Sequence, residues 1–311
     1  MRTVRIGCIL AGAGPELKEV IPRACREARE LFGEDYTLDF VCPQDWVLGW
    51  ELAGTEAVLA SAAQDTDLDM LWIFGPLAVV AASRLDLQHC LPVMGMTLWD
   101  VQDLGIDDVQ AQNQSEKSLL LISQHKRIQR DLEHMQSLFA PERVRILVPS
   151  GLLRSVPRVQ SILEQRARDG DIELKVTGIS GFDVSAARVH TWEQSIPVYA
   201  GPGLGLSPAQ REELYTRLRK EHIASFSAAG HRDVVIGALA GARPEINVQL
   251  ARRIALSTRD LLTGSMADSL SASLDVVDRL KINARTATAV GWDIGMENTL
   301  QADILQTGAQ D

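Results

Sequence analysis

The sequence predicts an α/β fold built as two Rossmann-like lobes with parallel sheets. Three observations carry that expectation. Short apolar runs alternate with amphipathic helical stretches from the first residues onward; the alternation breaks after residue 98 and restarts at 118; and a helix and a strand are left over once the second round is complete. With 311 residues, 46% hydrophobic and 23% charged, the chain can bury the cores of two ordinary domains.

The first round opens on the strand VRIGCIL (4–10). AGAGP (11–15) ends it, and ELKEVIPRACREARELF (16–32) has helical spacing, with a kink expected at Pro22. YTLDFVC (36–42) is the second strand, and 43–64 holds one or two helices. DMLWIFG (69–75) is continuously apolar, the pattern of a strand covered on both faces. A short helix with proline at its start (76–85) and the strand LPVMGMTL (91–98) complete a βαβαβαβ array, hence a right-handed parallel sheet.

The second round runs through the strand SLLLIS (118–123) and a helix over 124–139 with Ile128, Leu132, Met135 and Phe139 on one face. The strand RVRILVPS (143–150), a segment 154–170 that holds a helix ending at glycine, and the strands IELKVTGIS (172–180) and SIPVYAG (195–201) follow. Ser207, ahead of Pro208, caps a helix over 207–222. IASFSAAG (223–230) and DVVIGALA (233–240) read as strands. Leu250, Ala251, Ile254, Ala255, Thr258, Leu261 and Leu262 form an apolar stripe on a helix from Glu245 to Leu262, ended by Gly264. One more strand and short helix in 279–300 suggest a return to a lobe already left.

The composition excludes several functions. A net charge of −10 is a poor match for a phosphate backbone, and RLRK (217–220) reads as a solvated helix face, so no nucleic-acid partner is expected. No apolar run reaches the roughly 18–20 residues of a membrane span. MRTVRIGCIL reads as a strand rather than a signal peptide; a cytoplasmic chain and one whose export segment has been removed both fit. Cys8, Cys25, Cys42 and Cys90 form no C-x-x-C pair, and no histidine spacing suits zinc. They read as buried small hydrophobes, with a Cys8–Cys42 disulfide open in an oxidising compartment. AGAG (11–14) and GPGLG (201–205) lack the dinucleotide spacing, and there is no nucleophile elbow or Walker loop. Neither a cofactor nor catalysis is expected, because no nucleophile, base and orienter come together.

CPQDW (42–46) and TLWDVQD (97–103) each follow a strand and pair an aromatic with a carboxylate. Strand carboxyl ends of open α/β sheets face the ligand crevice. Trp46 and Trp99 would supply area and a donor, and Asp45 and Asp100 would hold an ammonium. The alternative is core tryptophans and helix-capping aspartates.

Taken in order, several segments resemble the ABC-transporter substrate-binding proteins with the type I periplasmic-binding-protein fold. They are MLWIFGPLAVVAASRL with LPVMGMTLWDVQDLG, then RVRILVPSG, SIPVYAGPGLGLSPAQREEL, VVIGALAGARPEINVQLARRIALSTRDLLTGS and LKINARTATAVGWDI. The resemblance covers nearly the full length. It implies two lobes joined by a three-crossing hinge, with lobe 1 formed by 1–122 and 234–264 and lobe 2 by 123–233 and 265–311. It also implies export, a small-molecule ligand such as an amino acid clasped between the lobes, and an ABC transporter membrane subunit or another envelope protein as partner. The site would draw on Gly12, Gly14, Asp45, Trp46, Gly75, Pro76, Trp99 and Asp100 from lobe 1, and on Gln124, Ser150, Ser180 and Gly201 from lobe 2. One departure stands out: relatives commonly carry a hydroxyl in the turn that reads Gly75-Pro76-Leu77 here. VVIGALAGARP (234–244) is then the second crossing; a buried strand at a tight contact, served by Gly237 and Gly241, is the alternative. The rival functions are a sensor or scaffold of the same fold acting through a protein interface, and an enzyme such as an isomerase, which lacks an evident acid/base pair.

Overall fold

The structure, a computed structural model, describes residues 2–33, 35–87, 90–106, 119–180, 189–244, 246–264, 272–273, 277–295 and 302–306. The chain forms two compact units. Unit 1 comprises Met1–His125, Arg154–Val156 and Ile246–Asp275; unit 2 comprises Lys126–Leu153, Pro157–Glu245 and Val276–Asp311. Apart from the short Arg154–Val156 excursion, the chain passes from one unit to the other at 125/126, 245/246 and 275/276.

In chain order, unit 1 begins with β1 (Arg2–Ala11), α1 (Pro15–Phe32), β2 (Tyr36–Val41), β3 (Val47–Leu48), α2 (Leu52–Ala62), β4 (Met70–Phe74), α3 (Pro76–Arg84), β5 (Val93–Met96) and β6 (Leu119–Ser123). Unit 2 follows with α4 (Arg127–Phe139), β7 (Arg143–Pro149), α5 (Ser150–Ser155), α6 (Arg158–Asp169), β8 (Glu173–Ile179), β9 (Val198–Ala200), α7 (Pro208–Lys220), β10 (Ser225–Ser227), α8 (His231–Ile236) and β11 (Ala240–Gly241). The chain re-enters unit 1 with α9 (Asn247–Leu262) and β12 (Ala272–Ser273), then finishes unit 2 with β13 (Lys281–Asn283), α10 (Ala284–Val290) and β14 (Asp303–Leu305).

The sheet of unit 1 has the order β12-β6-β5-β4-β1-β2, with β3 on the end of β1, and every pairing is parallel. All five residues of β4 are buried, as a strand covered on both faces requires. The apolar stripe of α9 packs on α1, and Thr258 Oγ1 accepts the Trp72 indole N–H from β4 at 3.0 Å. The sheet of unit 2 has the order β14-β13-β11-β10-β9-β7-β8, parallel except where β11 meets β13. Ser207 caps α7 as the sequence predicts, in a reciprocal capping box with Gln210.

Several elements differ from the sequence reading. α1 runs through Pro22. The region 43–64 holds a 3-10 turn at Gln44–Trp46, the short β3 and a single helix. The helix expected within 154–170 is α6, which begins after Pro157 and ends at Gly170, while a separate short helix, α5, precedes it. The first half of DVVIGALA is helical: α8 takes in Asp233–Ile236, Gly237 at φ +124 ends the turn, and only Ala240 of that segment enters β11. Asp233 draws this stretch inward, because its buried carboxylate is hydrogen-bonded by Arg211, Tyr215 and Ser227.

The division into units also shifts. Residues 234–244 lie in unit 2, not lobe 1, and 265–275 lie in unit 1, not lobe 2. The AGARP stretch is tied into unit 2, since Arg279 N–H donates to Ala242 O (2.7 Å) and His231 N–H to Arg243 O (3.2 Å). Gly241 serves a close contact there: a Cβ on it would lie 2.8 Å from Gly230 Cα. All four cysteines are free, with Cys8 buried and Cys42 exposed.

Candidate functional site

The order of the unit 1 sheet fixes where a ligand would meet it. From β1 the chain first adds β2 on one side, then β4, β5 and β6 on the other. Such a reversal opens a crevice at the carboxyl ends, between the loops after β1 and β4. Those loops are pressed together. Gly75 follows β4 with φ +103, and a Cβ on it would overlap the Ala11 carbonyl oxygen. Its N–H donates to Met96 O at 2.8 Å, which fixes the end of β5 beside it. Pro76 is buried at the start of α3, and Gly14 is the N-cap of α1; neither helix has a side-chain cap. The Gly12 N–H donates to Gly49 O at 2.9 Å.

The tryptophans divide between core and edge. A Cβ on Gly7, in the middle of β1, would lie 2.8 Å from Trp46 Cζ3, so this indole covers the strand rather than its end. Trp50, which the sequence reading missed, takes the place expected of Trp46: its Cζ3 would lie 2.8 Å from a Cβ on Gly12. Asp45 is exposed on the 3-10 turn. Trp99 is 1% exposed and its indole Nε1 has no protein partner among the described residues. Gln124, expected in lobe 2, belongs to unit 1; it is 5% exposed and its Nε2 also has no partner among the described residues. Thr97 N–H donates to Ile122 O at 3.0 Å, so these two residues stand on neighbouring strand ends. Asp100 is buried, accepts the Gln102 N–H (3.0 Å) and lies 3.4 Å from His125 Nδ1. It therefore helps organise its own turn rather than capping a helix.

In unit 2 the corresponding reversal lies between β7 and β9. Ser150 opens α5 directly after β7, and Ser180 is exposed at the end of β8. Gly201 follows β9 with its N–H on Leu147 O (3.1 Å), and a Cβ there would lie 2.6 Å from the same oxygen. Within unit 2, Arg127 and Asp131 of α4 form a buried bidentate pair at 2.5 and 2.9 Å. Tyr199 OH donates to Asp131 (2.7 Å) and Arg127 also donates to Asp278 (2.8 Å). Burial pushes the Asp131 carboxyl up, against the pull of Arg127 and Tyr199. A second network joins Arg211, Tyr215 and Ser227 on Asp233, and burial with the Asp233 charge raises the Tyr215 phenol well above its ordinary value. Among the described residues, no three or more of His, Cys, Asp and Glu gather as a metal site would require.

No protein-family model and no curated protein matches the chain. Solved structures do. An ABC domain from Streptococcus pneumoniae in complex with L-Trp aligns with a TM-score of 0.71 at 14% identity, over 97% of this chain and 100% of that one. A ligand-free, open substrate binding protein with adhesive properties from Clostridium difficile aligns with a TM-score of 0.59 at 15% identity, over 99% and 100%. A branched chain amino acid ABC transporter protein from Thermus thermophilus with bound valine aligns with a TM-score of 0.57 at 12% identity, over 87% and 78%. The fold is that of the type I periplasmic binding proteins.

In a type I periplasmic-binding fold each α/β unit carries its own strand-end edge. The sequence-predicted residues at the unit 1 edge are Gly12, Gly14, Gly75, Pro76, Trp99, Asp100 and Gln124. Those of unit 2 are Ser150, Ser180 and Gly201. Trp46 leaves the set for the sheet face. His125 was missed because its partner Asp100 is 25 positions away and joins it only through the pairing of β5 with β6. Arg127 and Asp131 did leave a signal: a charged i,i+4 pair interleaved with the apolar stripe of Ile128, Leu132 and Met135.

Proposed function

We propose that this chain is an extracytoplasmic solute-binding protein that takes up a small molecule and delivers it to an ABC-type membrane transporter. The observation that carries this reading is the pair of buried donors without protein partners, Trp99 Nε1 and Gln124 Nε2, on neighbouring strand ends of a periplasmic-binding fold. Buried polar groups are almost always paired in folded proteins, so two orphans at a ligand edge point to a partner from outside. Gly14 would add a backbone N–H donor beside the tight turns at Gly12, Gly75 and Pro76, whose own amides are either engaged or, in proline, lacking; the unit 2 edge would offer the Ser150 and Ser180 hydroxyls next to Gly201. The chain passages at 125/126, 245/246 and 275/276 would serve as hinge, and a solute shifts such an equilibrium only by its preference for one state. No bond is made or broken in this role.

An extracytoplasmic location fits the proteins that share the fold, one of which is called an extracellular ligand-binding receptor. Among the described residues no helix is long and apolar enough to cross a membrane. A sensor role is the second reading, favoured by a sugar-binding transcriptional regulator from Enterococcus faecalis with a TM-score of 0.50 at 10% identity.

A thermal-shift screen against amino acids and small neutral metabolites tests the proposal. A bound solute at about 100 times its Kd should add about 2.7 kcal/mol of stability, rising with concentration. A flat response across the screen would overturn solute binding and leave the protein-interface role.

A further inference from the structure

Among the described residues, the strand-end segments of unit 1 are predominantly acidic. The segments 11–16, 42–51, 75–77, 97–106 and 124–125 contain Glu16, Asp45, Glu51, Asp100 and Asp103 and no lysine or arginine. The single titratable cation among them is His125, which already faces Asp100 at 3.4 Å. Trp99 and Gln124 sit within this acidic frame as neutral groups, both more than nine-tenths buried, each with a nitrogen that lacks a protein partner. The indole N–H can only donate, so whatever meets Trp99 must accept. A carboxylate or phosphate would accept, but it would bring another negative charge to an edge whose five carboxylates outnumber the cations that flank it, Lys126 next to His125 and Arg154 next to Ser155, whose Oγ donates to Trp50 O. A carbonyl or hydroxyl oxygen accepts without that penalty.

We infer that unit 1 selects a solute that is neutral or cationic overall and that presents an uncharged oxygen to Trp99 and Gln124. This rests on the solute-binding reading and sharpens it by excluding net anions. The two donors supply orientation, and the acidic frame supplies charge discrimination. Leaving the donors unpaired in the free protein is a standing cost, because a buried amide or indole nitrogen without an acceptor has lost its water. Replacing the Gln124 amide by a side chain of the same shape without polar atoms should therefore stabilise the empty protein while it removes a ligand contact.

Three matched pairs of compounds test this on the full chain by calorimetry and thermal shift: 3,4-dihydroxybenzoate against 3,4-dihydroxybenzamide, hexanoate against hexanamide, and L-valine against L-valinamide. Each amide should bind at least tenfold more tightly than its acid. Trp99→Phe and Gln124→Leu should each weaken the amide at least tenfold. Without any ligand, Gln124→Leu should raise Tm by about 2 °C or more. A lowered ligand-free Tm in Gln124→Leu would show that the amide is held by the fold, and overturn the inference. Acids that bind as well as or better than their amides would overturn it while leaving solute binding intact. No binding by any of the six compounds and by the wider screen would overturn both.

Discussion

The carboxylate networks of unit 2 and the strand ends of unit 1 handle buried polarity in opposite ways. In unit 2 two buried carboxylates are closed into networks: Asp131 is met by Arg127 and Tyr199, and Asp233 by Arg211, Tyr215 and Ser227, although the Nε of buried Arg145 is left without a partner among the described residues. In unit 1 the strand ends bury Trp99 and Gln124 with nitrogens that meet no protein acceptor. A closed network rigidifies a core, while an open donor costs stability until something outside the chain fills it. The contrast separates groups that hold the fold from groups that wait for a ligand.

The largest expected effect comes from opening a closed network. Asp131→Ala would leave the Arg127 guanidinium buried with only Asp278 as partner, and breaking a buried pair typically costs about 3–5 kcal/mol. The denaturant midpoint of the variant should fall accordingly. The double variant Arg127→Met with Asp131→Leu should recover most of the loss, since apolar replacement removes both desolvation costs. A double variant no more stable than Asp131→Ala would show that the network is irreplaceable rather than merely paired.

What was legible in the sequence follows the reach of each interaction. Strand β4 was readable because burial on both faces leaves a continuous apolar run, and α9 because its stripe has one period. DVVIGALA was misread because its apolar residues fit a strand, while the groups that hold α8 in place, Arg211 and Tyr215, lie 22 and 18 residues from Asp233. At the site, Trp99 was found because it follows a strand. Trp46 looked the same, and only the bare Gly7 on the folded strand shows why it packs on the sheet face instead. The unpaired state of Gln124 has no sequence signature, because it is a property of what surrounds the amide in three dimensions.

A second comparison sets one turn in each unit against the other. Gly75 in unit 1 and Gly230 in unit 2 both have positive φ, +103 and +62, and a Cβ on either would overlap a backbone carbonyl oxygen, of Ala11 or of Arg243. Neither oxygen can move without its strand or turn. Alanine at either position should cost about 2–4 kcal/mol from strain and overlap together. Hydrogen exchange should localise the damage: faster exchange in α1 and α3 for Gly75→Ala, and in α8 and β11 for Gly230→Ala. Equal acceleration throughout both units in either variant would mean that the two turns do not belong to separable bodies.

The smallest effect concerns Asp278, the solvent-facing end of the Arg127 network. Partial burial alone would raise its carboxyl. A hydrogen bond with His134 and the charges of Arg127 and Arg130 outweigh burial and hold it below the usual carboxylate value. Its folded pKa is thus depressed relative to the unfolded chain, and the unfolded state binds the proton first as pH falls. The stabilisation it gives is complete above the unfolded value near 4 and is lost as pH drops through the folded value. Asp278→Asn should therefore cost about 1–2 kcal/mol at pH 7. It should also flatten the acid limb of the stability curve below about pH 4 relative to the parent. Asp131 works in the other direction, because burial raises its folded pKa and its ionisation costs stability as pH climbs through that value. The two carboxylates on one guanidinium can then be told apart by the sign of their pH dependence. A parent and an Asp278→Asn variant with parallel acid limbs would show that the Asp278 charge contributes nothing to holding the network shut.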